Sequence, residues 1–178
     1  MPKVTLSMIV KNEEQYLRGC LESVKGIADE IVIVDTGSTD ATLDIAKEFN
    51  AKIFHFEWIK DFSAARNFAL SKSTGDWILY LDADERLEKK SKKELFRKIK
   101  GNNKLAINCI IKNLDDRKKA PTLMKYVRLF KNNKSISFTG KAHEQIEASL
   151  AKSGYKLVGS SVEITHLGYN VDKEKLKE

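Results

Sequence analysis

Cysteine is scarce in this sequence, and a long apolar run is absent. The two cysteines, Cys20 and Cys109, lie far apart and each falls within an apolar pattern. We interpret both as buried free thiols and not as a disulfide or a metal site. No stretch approaches the roughly 20 apolar residues that a helix needs to cross a bilayer. Apolar segment 4–10 follows the N-terminus directly, which indicates a first strand and not a signal peptide. These features predict a cytoplasmic protein.

The composition also argues against a disordered chain. Hydrophobic residues make up 42% and charged residues 32% of the 178 residues, which is typical of a folded globular protein. The length suits one well-buried domain and is too short for two of ordinary size. We therefore expect a single domain over 1–178, with functional halves at 1–100 and 101–178. The charged segment 172–178 suits a helix cut short or a link to a missing segment.

Positive charge is concentrated in one segment. The formal net charge is +7, and many of the basic residues fall in 86–100, around Leu95, Phe96 and Ile99. This spacing predicts an amphipathic helix with a basic face. That face is either simply solvated, or it contacts an anionic membrane. In the second case, segment 89–100 would bind peripherally to the inner face of the membrane. We expect no nucleic-acid partner, because aromatic residues are not interleaved with the basic ones.

Strand and helix patterns alternate over the first hundred residues. Apolar or β-branched runs mark four strands, at 4–10, 31–34, 52–56 and 77–81, and helical spacing of apolar residues fills the intervals. This β-α-β-α-β-α-β order predicts an α/β fold with a Rossmann-like, mostly parallel sheet and helices on both faces.

The pattern changes in the second half of the chain. Strand-like runs with shorter connections follow there, at 105–111, 126–130, 135–138 and 162–165. They predict mixed or antiparallel strands added to the same sheet.

Two carboxylates one residue apart, Asp82 and Asp84, follow the fourth predicted strand. Like charges at this spacing repel each other, so such pairs occur mostly where a metal ion or a cationic ligand neutralises them. Ligands of parallel α/β sheets bind beyond the carboxyl ends of the strands. Because Asp35 ends the second strand, we expect Asp35 and Asp82 to line one crevice.

Four motifs in the first ninety residues, at 8–14, 33–40, 65–67 and 81–85, together resemble family 2 glycosyltransferases with the GT-A fold. The sequence is most similar to the branch that includes bacterial lipooligosaccharide-core glucosyltransferases. Beyond residue 100 the resemblance is thinner and rests on three short segments, 128–130, 140–144 and 166–169.

The resemblance implies transfer of a sugar from a UDP-linked donor to a glycan, lipid-linked or protein acceptor. It also implies Mn²⁺ or Mg²⁺ as cofactor and inversion by a single displacement. Asp84 would be a direct metal ligand, Asp82 would contact the ribose or, through water, the metal, and Ala83 would belong to the nucleotide-sugar site. His166 would be a further metal ligand or a diphosphate contact, although a histidine at a strand end is as often a satisfied polar residue.

Most of the remaining candidates for binding the nucleotide have two interpretations, one functional and one structural. The backbone of Val10 would frame the base, and Glu13 would orient ribose or loop contacts unless it is a first-turn helix acid. Asp35 would accept a hydrogen bond from uracil, or cap a helix. Arg66 would bind the nucleotide, or form a surface salt bridge. Asn67 has no definite role.

Glu144 is the candidate general base that takes the proton of the acceptor hydroxyl; its alternative is a structural hydrogen-bond partner. Two rival enzymes fit less well. A haloacid dehalogenase phosphatase has its Asp-x-Asp on the first strand, and a sugar nucleotidyltransferase needs a glycine-rich loop where 11–14 lie. A non-catalytic nucleotide- or polyanion-binding protein on a transferase-like fold stays open.

Overall fold

The structure is a computed structural model that describes residues 1–101, 103–115 and 117–168. Two features considered above, Tyr169 at the end of the last motif and the charged segment 172–178, lie outside these residues.

The described residues form one sheet of eight strands, in the order β3-β2-β1-β4-β7-β6-β8-β5. The strands are β1 (Val4–Val10), β2 (Glu30–Asp35), β3 (Lys52–His55), β4 (Trp77–Tyr80), β5 (Glu85–Leu87), β6 (Leu105–Asn113), β7 (Thr122–Lys131) and β8 (Lys156–His166). The helices are α1 (Leu17–Ser23), α2 (Thr42–Glu48), α3 (Phe62–Lys72), α4 (Lys92–Ile99) and α5 (Glu147–Lys152), with a 3₁₀ turn at Lys89–Ser91 before α4.

The direction of pairing changes between the two halves of the sheet. Strands β3, β2, β1 and β4 all pair in parallel. Strand β7 joins β4 and β6 antiparallel, β6 and β8 are parallel, and β5 is antiparallel to β8. The predicted parallel core with mixed additions is confirmed. Both halves of the chain contribute strands to this sheet, while their division into donor and acceptor halves stays a prediction.

Helices cover both faces of the sheet, as the alternating pattern predicts. The larger apolar cluster joins α1, α2 and α4 to one face and includes Leu6, Leu21 and Leu95. Helix α3 packs on β1 and β2 from the other face, where α5 contributes Leu150 to a second cluster. Among the described residues no helix is long and apolar enough to span a membrane.

Segment 135–138 is not a strand, and this prediction was wrong. Ile136 and Phe138 are buried in the second cluster, but the backbone of Phe138 pairs with a side chain. The Asn67 amide donates to the carbonyl of Phe138 at 3.0 Å and accepts from its N–H at 2.7 Å. Asn67 therefore ties this segment to α3 in the way that a neighbouring strand would.

Candidate active site

A cavity of about 540 Å³ opens at the carboxyl ends of β1 and β4. This is the edge of the sheet at which parallel α/β proteins bind their ligands. Most of the candidate site residues line it. The lining residues are Ile9, Val10, Lys11, Glu13, Thr36, Trp58, Phe62, Arg66, Asp82, Ala83, Asp84, Ala142, Glu144 and His166.

Arg66 joins two of the candidate carboxylates. Its Nη2 lies 2.7 Å from Asp82 Oδ1, and its Nε lies 2.6 Å from Glu144 Oε1. Asp82 follows β4, whereas Glu144 belongs to the loop before α5, so the guanidinium connects parts of the chain that are far apart in sequence. Burial would raise the pKa of Asp82, but the charges of Arg66 and Arg128 outweigh it and lower that pKa.

The position of Arg66 follows from the local sequence of α3. Asp61 begins the helix by accepting a hydrogen bond from the N–H of Ala64. Ala65 is fully buried, and so small a side chain lets the helix lie close to the sheet. The guanidinium then lies over the rings of Tyr80 and Phe138, at 5.5 and 5.8 Å from their centroids. The surface salt bridge considered for Arg66 is not what the structure shows, because its side chain is only 8% exposed.

Asp84 pairs with His166 on the other side of the cavity. His166 Nε2 lies 2.9 Å from Asp84 Oδ2, and His166 Nδ1 lies 2.8 Å from Asn113 Oδ1. The hydrogen bond to Asp84 raises the pKa of His166. The two ring nitrogens of His166 thus contact one oxygen each, that of Asp84 and that of Asn113. Pairing of β5 with β8 brings these distant residues together.

The chemistry of these groups fits a hard divalent cation. Among the described residues no three His, Cys, Asp or Glu side chains are arranged as a complete metal cage. Magnesium, however, is often held by one or two protein ligands together with phosphate oxygens of the substrate. Asp84 and His166 would supply the protein's share of such a site.

Negative charge accumulates next to this pair. Glu13 lines the cavity, and its N–H donates to Thr42 Oγ1 at 2.7 Å. It precedes the first residue of α1, so it is not the helix acid that the sequence also allowed. Burial, and then the charges of Asp84 and Asp82, raise the pKa of Glu13 to about 7. A cation at this end of the cavity would relieve the repulsion.

Asp35 does not line the cavity, although we expected it to share a crevice with Asp82. It is buried, and its carboxylate accepts hydrogen bonds from the N–H groups of Gly37 and Ser38, at 3.2 and 3.1 Å. The cavity is lined by the adjacent Thr36 and not by Asp35. Asp35 does not cap α2 either, since that helix begins at Thr42. Its carboxylate shapes the turn after β2, and its contact with uracil stays a prediction.

Val10 and Ala83 both line the cavity. The carbonyl of Val10 accepts a hydrogen bond from the N–H of Thr36 at 3.0 Å, which joins the ends of β1 and β2. Ala83 lies between the two carboxylates and is buried. The roles of both residues in binding the nucleotide stay predictions.

Sequence reasoning missed two aromatic residues at the cavity. Phe62 is the first residue of α3 and is 40% exposed. Its ring meets that of Trp58 at 4.8 Å between centroids. The Asp61 cap was the available signal, because a residue directly after the cap lies at the open end of the helix.

A buried ion pair behind the cavity was also missed. Arg128 Nη2 lies 2.7 Å from Glu85 Oε1, and Glu85 Oε2 accepts the N–H of Asp82 at 2.9 Å. Glu85 is 1% exposed. The pair fixes the backbone of the loop that carries Asp82 and Asp84, and only the fold brings β7 next to this loop.

The comparisons with known proteins agree with this architecture. Residues 5–158 match the family described as Glycosyl transferase family 2, and the chain belongs to that family. It is 42% identical over 150 residues, or 84% of the chain, to a TPR repeat-containing protein of Synechococcus elongatus, of which it covers 37%. It is 30% identical over 178 residues, or 99% of the chain, to the SPbeta prophage-derived glycosyltransferase SunS of Bacillus subtilis, of which it covers 42%. The chain thus spans about two fifths of the length of these curated relatives.

Solved glycosyltransferases share the fold. S. aureus TarS, residues 1–349 in complex with UDP-GlcNAc, superposes with a TM-score of 0.69 at 18% identity, over 94% of this chain and 60% of TarS. Glucosyl-3-phosphoglycerate synthase of Mycobacterium tuberculosis, solved with Mn²⁺, UDP-glucose and glycerol 3-phosphate, has a TM-score of 0.50 at 18% identity, over 62% of this chain and 44% of the synthase. The fold is therefore the GT-A fold, as the resemblance implied. The narrower lipooligosaccharide branch stays a prediction.

Proposed function

We propose that this chain transfers a sugar from a UDP-linked donor to an acceptor hydroxyl, by a metal-assisted single displacement with inversion. The observation that carries the proposal is the meeting of Arg66, Asp82, Asp84, Glu144 and His166 in one cavity at the carboxyl ends of the parallel strands. Family membership supports it, as do the nucleotide-sugar complexes of TarS and of the mycobacterial synthase.

The donor's diphosphate belongs at the acidic end of the cavity. Asp84 and His166 would hold Mn²⁺ or Mg²⁺, which when bound neutralises the charge of the departing nucleoside diphosphate. The Asn113 contact orients the imidazole so that Nε2 lies beside Asp84. The Asp84 carboxylate suits either metal.

The nucleoside occupies the neighbouring wall in this proposal. Val10 and Ala83 frame it with backbone, Asp82 contacts the ribose, and Glu13 orients the ribose or the loop. Asp35 accepts a hydrogen bond from uracil, as the resemblance implies, although the adjacent Thr36 and not Asp35 lines the cavity. The other roles also come from the family resemblance, and the residues that carry them all line the cavity.

Glu144 accepts the proton of the acceptor hydroxyl as that oxygen attacks the anomeric carbon. Arg66 Nε lies 2.6 Å from Glu144 Oε1 and holds this carboxylate at the cavity, where it would act as the general base. Two hydrogen bonds hold the loop before Glu144 against α3, from Phe62 N–H to the Lys141 carbonyl at 3.0 Å and from Ser63 Oγ to the Gly140 carbonyl at 2.6 Å.

We further propose that the chain acts as one catalytic domain, with a donor half at 1–100 and an acceptor half at 101–178, in the cytoplasm. Contact with the inner membrane surface through 89–100 is the weaker part of this proposal. Several basic groups of that segment already have partners, among them Lys90 with Glu163 and Arg97 with Glu94. This pairing favours a solvated basic face.

A donor screen tests the function without knowledge of the acceptor. The full chain is incubated with a panel of UDP-sugars and MnCl₂, and release of UDP is followed, with EDTA as the matched control. We expect slow hydrolysis of at least one donor that EDTA abolishes, and binding of UDP by calorimetry only when metal is present. Absence of UDP binding with metal present, together with tight retention on a polyanion resin, would instead support a polyanion-binding protein.

A further inference from the structure

A second cavity of about 550 Å³ lies next to the candidate active site. It shares Arg66, Asp82, Ala142 and Glu144 with the first cavity. The Asp82–Arg66–Glu144 ion bridge therefore forms a common wall, and Glu144 is accessible from both sides. A molecule in the second cavity would face the candidate base from the side opposite the nucleotide.

The charges of the second cavity are unsuited to an anion. Arg66 is engaged by Asp82 and Glu144, and Arg128 Nη2 is engaged by Glu85, whereas the buried Arg128 Nε has no hydrogen-bond partner among the described residues. Arg128 is also largely buried, with 12% of its side chain exposed.

The carboxylate of Glu147 also lines the cavity. Its Oε2 accepts a hydrogen bond from the N–H of Ile146 at 3.1 Å, and no guanidinium pairs with it among the described residues. The exposed His143 also lines the cavity. A phosphate or carboxylate entering this cavity would meet an excess of negative charge.

Aromatic rings form the remaining walls. The ring of Tyr80 is fixed by the guanidinium of Arg128, 4.8 Å from its centroid, and by its hydroxyl, which donates to the Val127 carbonyl at 2.5 Å. Tyr126 is different, because 41% of the residue is exposed at the cavity.

An exposed aromatic face beside carboxylate and amide acceptors matches a sugar ring, which has one apolar C–H face and hydroxyl donors around its edge. Gln145 supplies the amide in this cavity.

We propose that the second cavity binds the acceptor and selects an uncharged, polyhydroxylated one, such as a sugar ring, over an acceptor that carries phosphate or carboxylate. Tyr126 supplies the stacking surface, and Glu147 supplies the charge that disfavours anions. This inference rests on the proposed function for the identity of the bound molecule as acceptor, but binding in the cavity can be measured without any donor.

The test compares two probes that differ in charge, methyl α-glucoside and glucose 6-phosphate. Saturation-transfer NMR on the full chain, without donor or metal, measures binding of each probe. We expect binding of methyl α-glucoside and little or none of glucose 6-phosphate. Tyr126→Ala should weaken methyl α-glucoside binding by about tenfold, whereas Leu123→Ala, on the same strand but outside the cavity, should not. Glu147→Arg should shift the preference toward glucose 6-phosphate, and Glu22→Arg, with the same change of net charge elsewhere, should leave it as in the wild type.

Equal or stronger binding of glucose 6-phosphate to the wild type would overturn the inference. So would the absence of binding of both probes, or unchanged methyl α-glucoside binding in Tyr126→Ala. Circular dichroism of each variant checks that it is folded, and Tyr126→Phe, which retains the ring, should bind as the wild type does. If donor hydrolysis fails while methyl α-glucoside binds as expected, the proposed function is wrong and the cavity's preference stands.

Discussion

The strongest structural prediction concerns Arg66→Met, which removes the guanidinium and keeps a long apolar side chain. The wild-type side chain is 8% exposed and pairs with two carboxylates, of which Asp82 is 41% and Glu144 18% exposed. Removal of one partner from a buried ion pair costs about 3–5 kcal/mol. Because water can reach Asp82 after the change, we expect a loss near the lower end, about 3 kcal/mol of the free energy of unfolding.

Urea unfolding followed by circular dichroism, at neutral pH with EDTA, measures this loss. The matched control is Arg18→Met, which breaks an Arg–Glu pair whose side chains are 50% and 53% exposed. Exposed pairs contribute about 0–1 kcal/mol, so the control should change stability little. A loss below about 1 kcal/mol in Arg66→Met, comparable to the control, would refute the reasoning that this bridge is a buried electrostatic element.

The same variant has a defined pH dependence. Arg66 lowers the pKa of Asp82, so the stability gained from this pair is present above the ordinary value of 3.8 and is lost as the pH falls toward about 2. The difference in unfolding free energy between wild type and Arg66→Met should therefore shrink over this interval. A difference that stays constant would indicate that Asp82 is not held ionised by the guanidinium.

Three further substitutions separate the roles proposed at the site. Asp84→Asn should abolish metal-dependent UDP binding in calorimetry while the fold is kept; persistence of that binding would remove Asp84 from the metal site. Glu144→Gln should retain UDP binding and lower transfer by on the order of 10²-fold or more, whereas weakened UDP binding without a rate defect would contradict a base role. Glu13→Gln should change how stability depends on pH in the metal-free protein. Because the pKa of Glu13 is raised from 4.5 to about 7, this group stabilises the wild type fully below pH 4.5, and the stabilisation is lost as the pH rises through 7. Thermal melts of the variant should not show this loss. Parallel pH profiles of the two proteins would contradict the prediction.

The parallel half of the fold was predictable because apolar or β-branched runs in the sequence mark its strands. A strand buried on both faces is a continuous apolar run, and 31–34 is β-branched throughout. The short elements of the second half lack such a signal. Strand β5 has three residues and helix α5 has six, and β5 exists because β8 lies beside it. The opposite error arose at 135–138, where apolar alternation resembles a strand but the Asn67 amide takes the backbone hydrogen bonds.

The site residues also divide into those that the sequence predicts and those that only the fold reveals. Asp82 and Asp84 were predictable because two carboxylates at a strand end require an explanation in charge, and they lie at the cavity as expected. The Glu85–Arg128 pair was not, because its function depends on a contact between residues 43 positions apart. Segment 128–130 contributes to the family resemblance, but its local sequence does not indicate that Arg128 is buried beside Glu85. Only the register of β7 against β4 places it behind the Asp82 loop.

The Arg66 bridge also explains how one residue can serve two neighbouring cavities. Its Nε and Nη2 contact Glu144 and Asp82 respectively, and the planar guanidinium keeps these two nitrogens at a fixed spacing. A lysine ammonium, which is a single point of charge, could not fix both carboxylates in this way. Both carboxylates line both cavities, and their spacing is set by a rigid group packed over Tyr80 and Phe138. Displacements of about 1 Å are enough to slow a reaction between bound groups by roughly two orders of magnitude. The fixed spacing of its two nitrogens, and not its charge alone, is therefore the property of Arg66 that matters at this site.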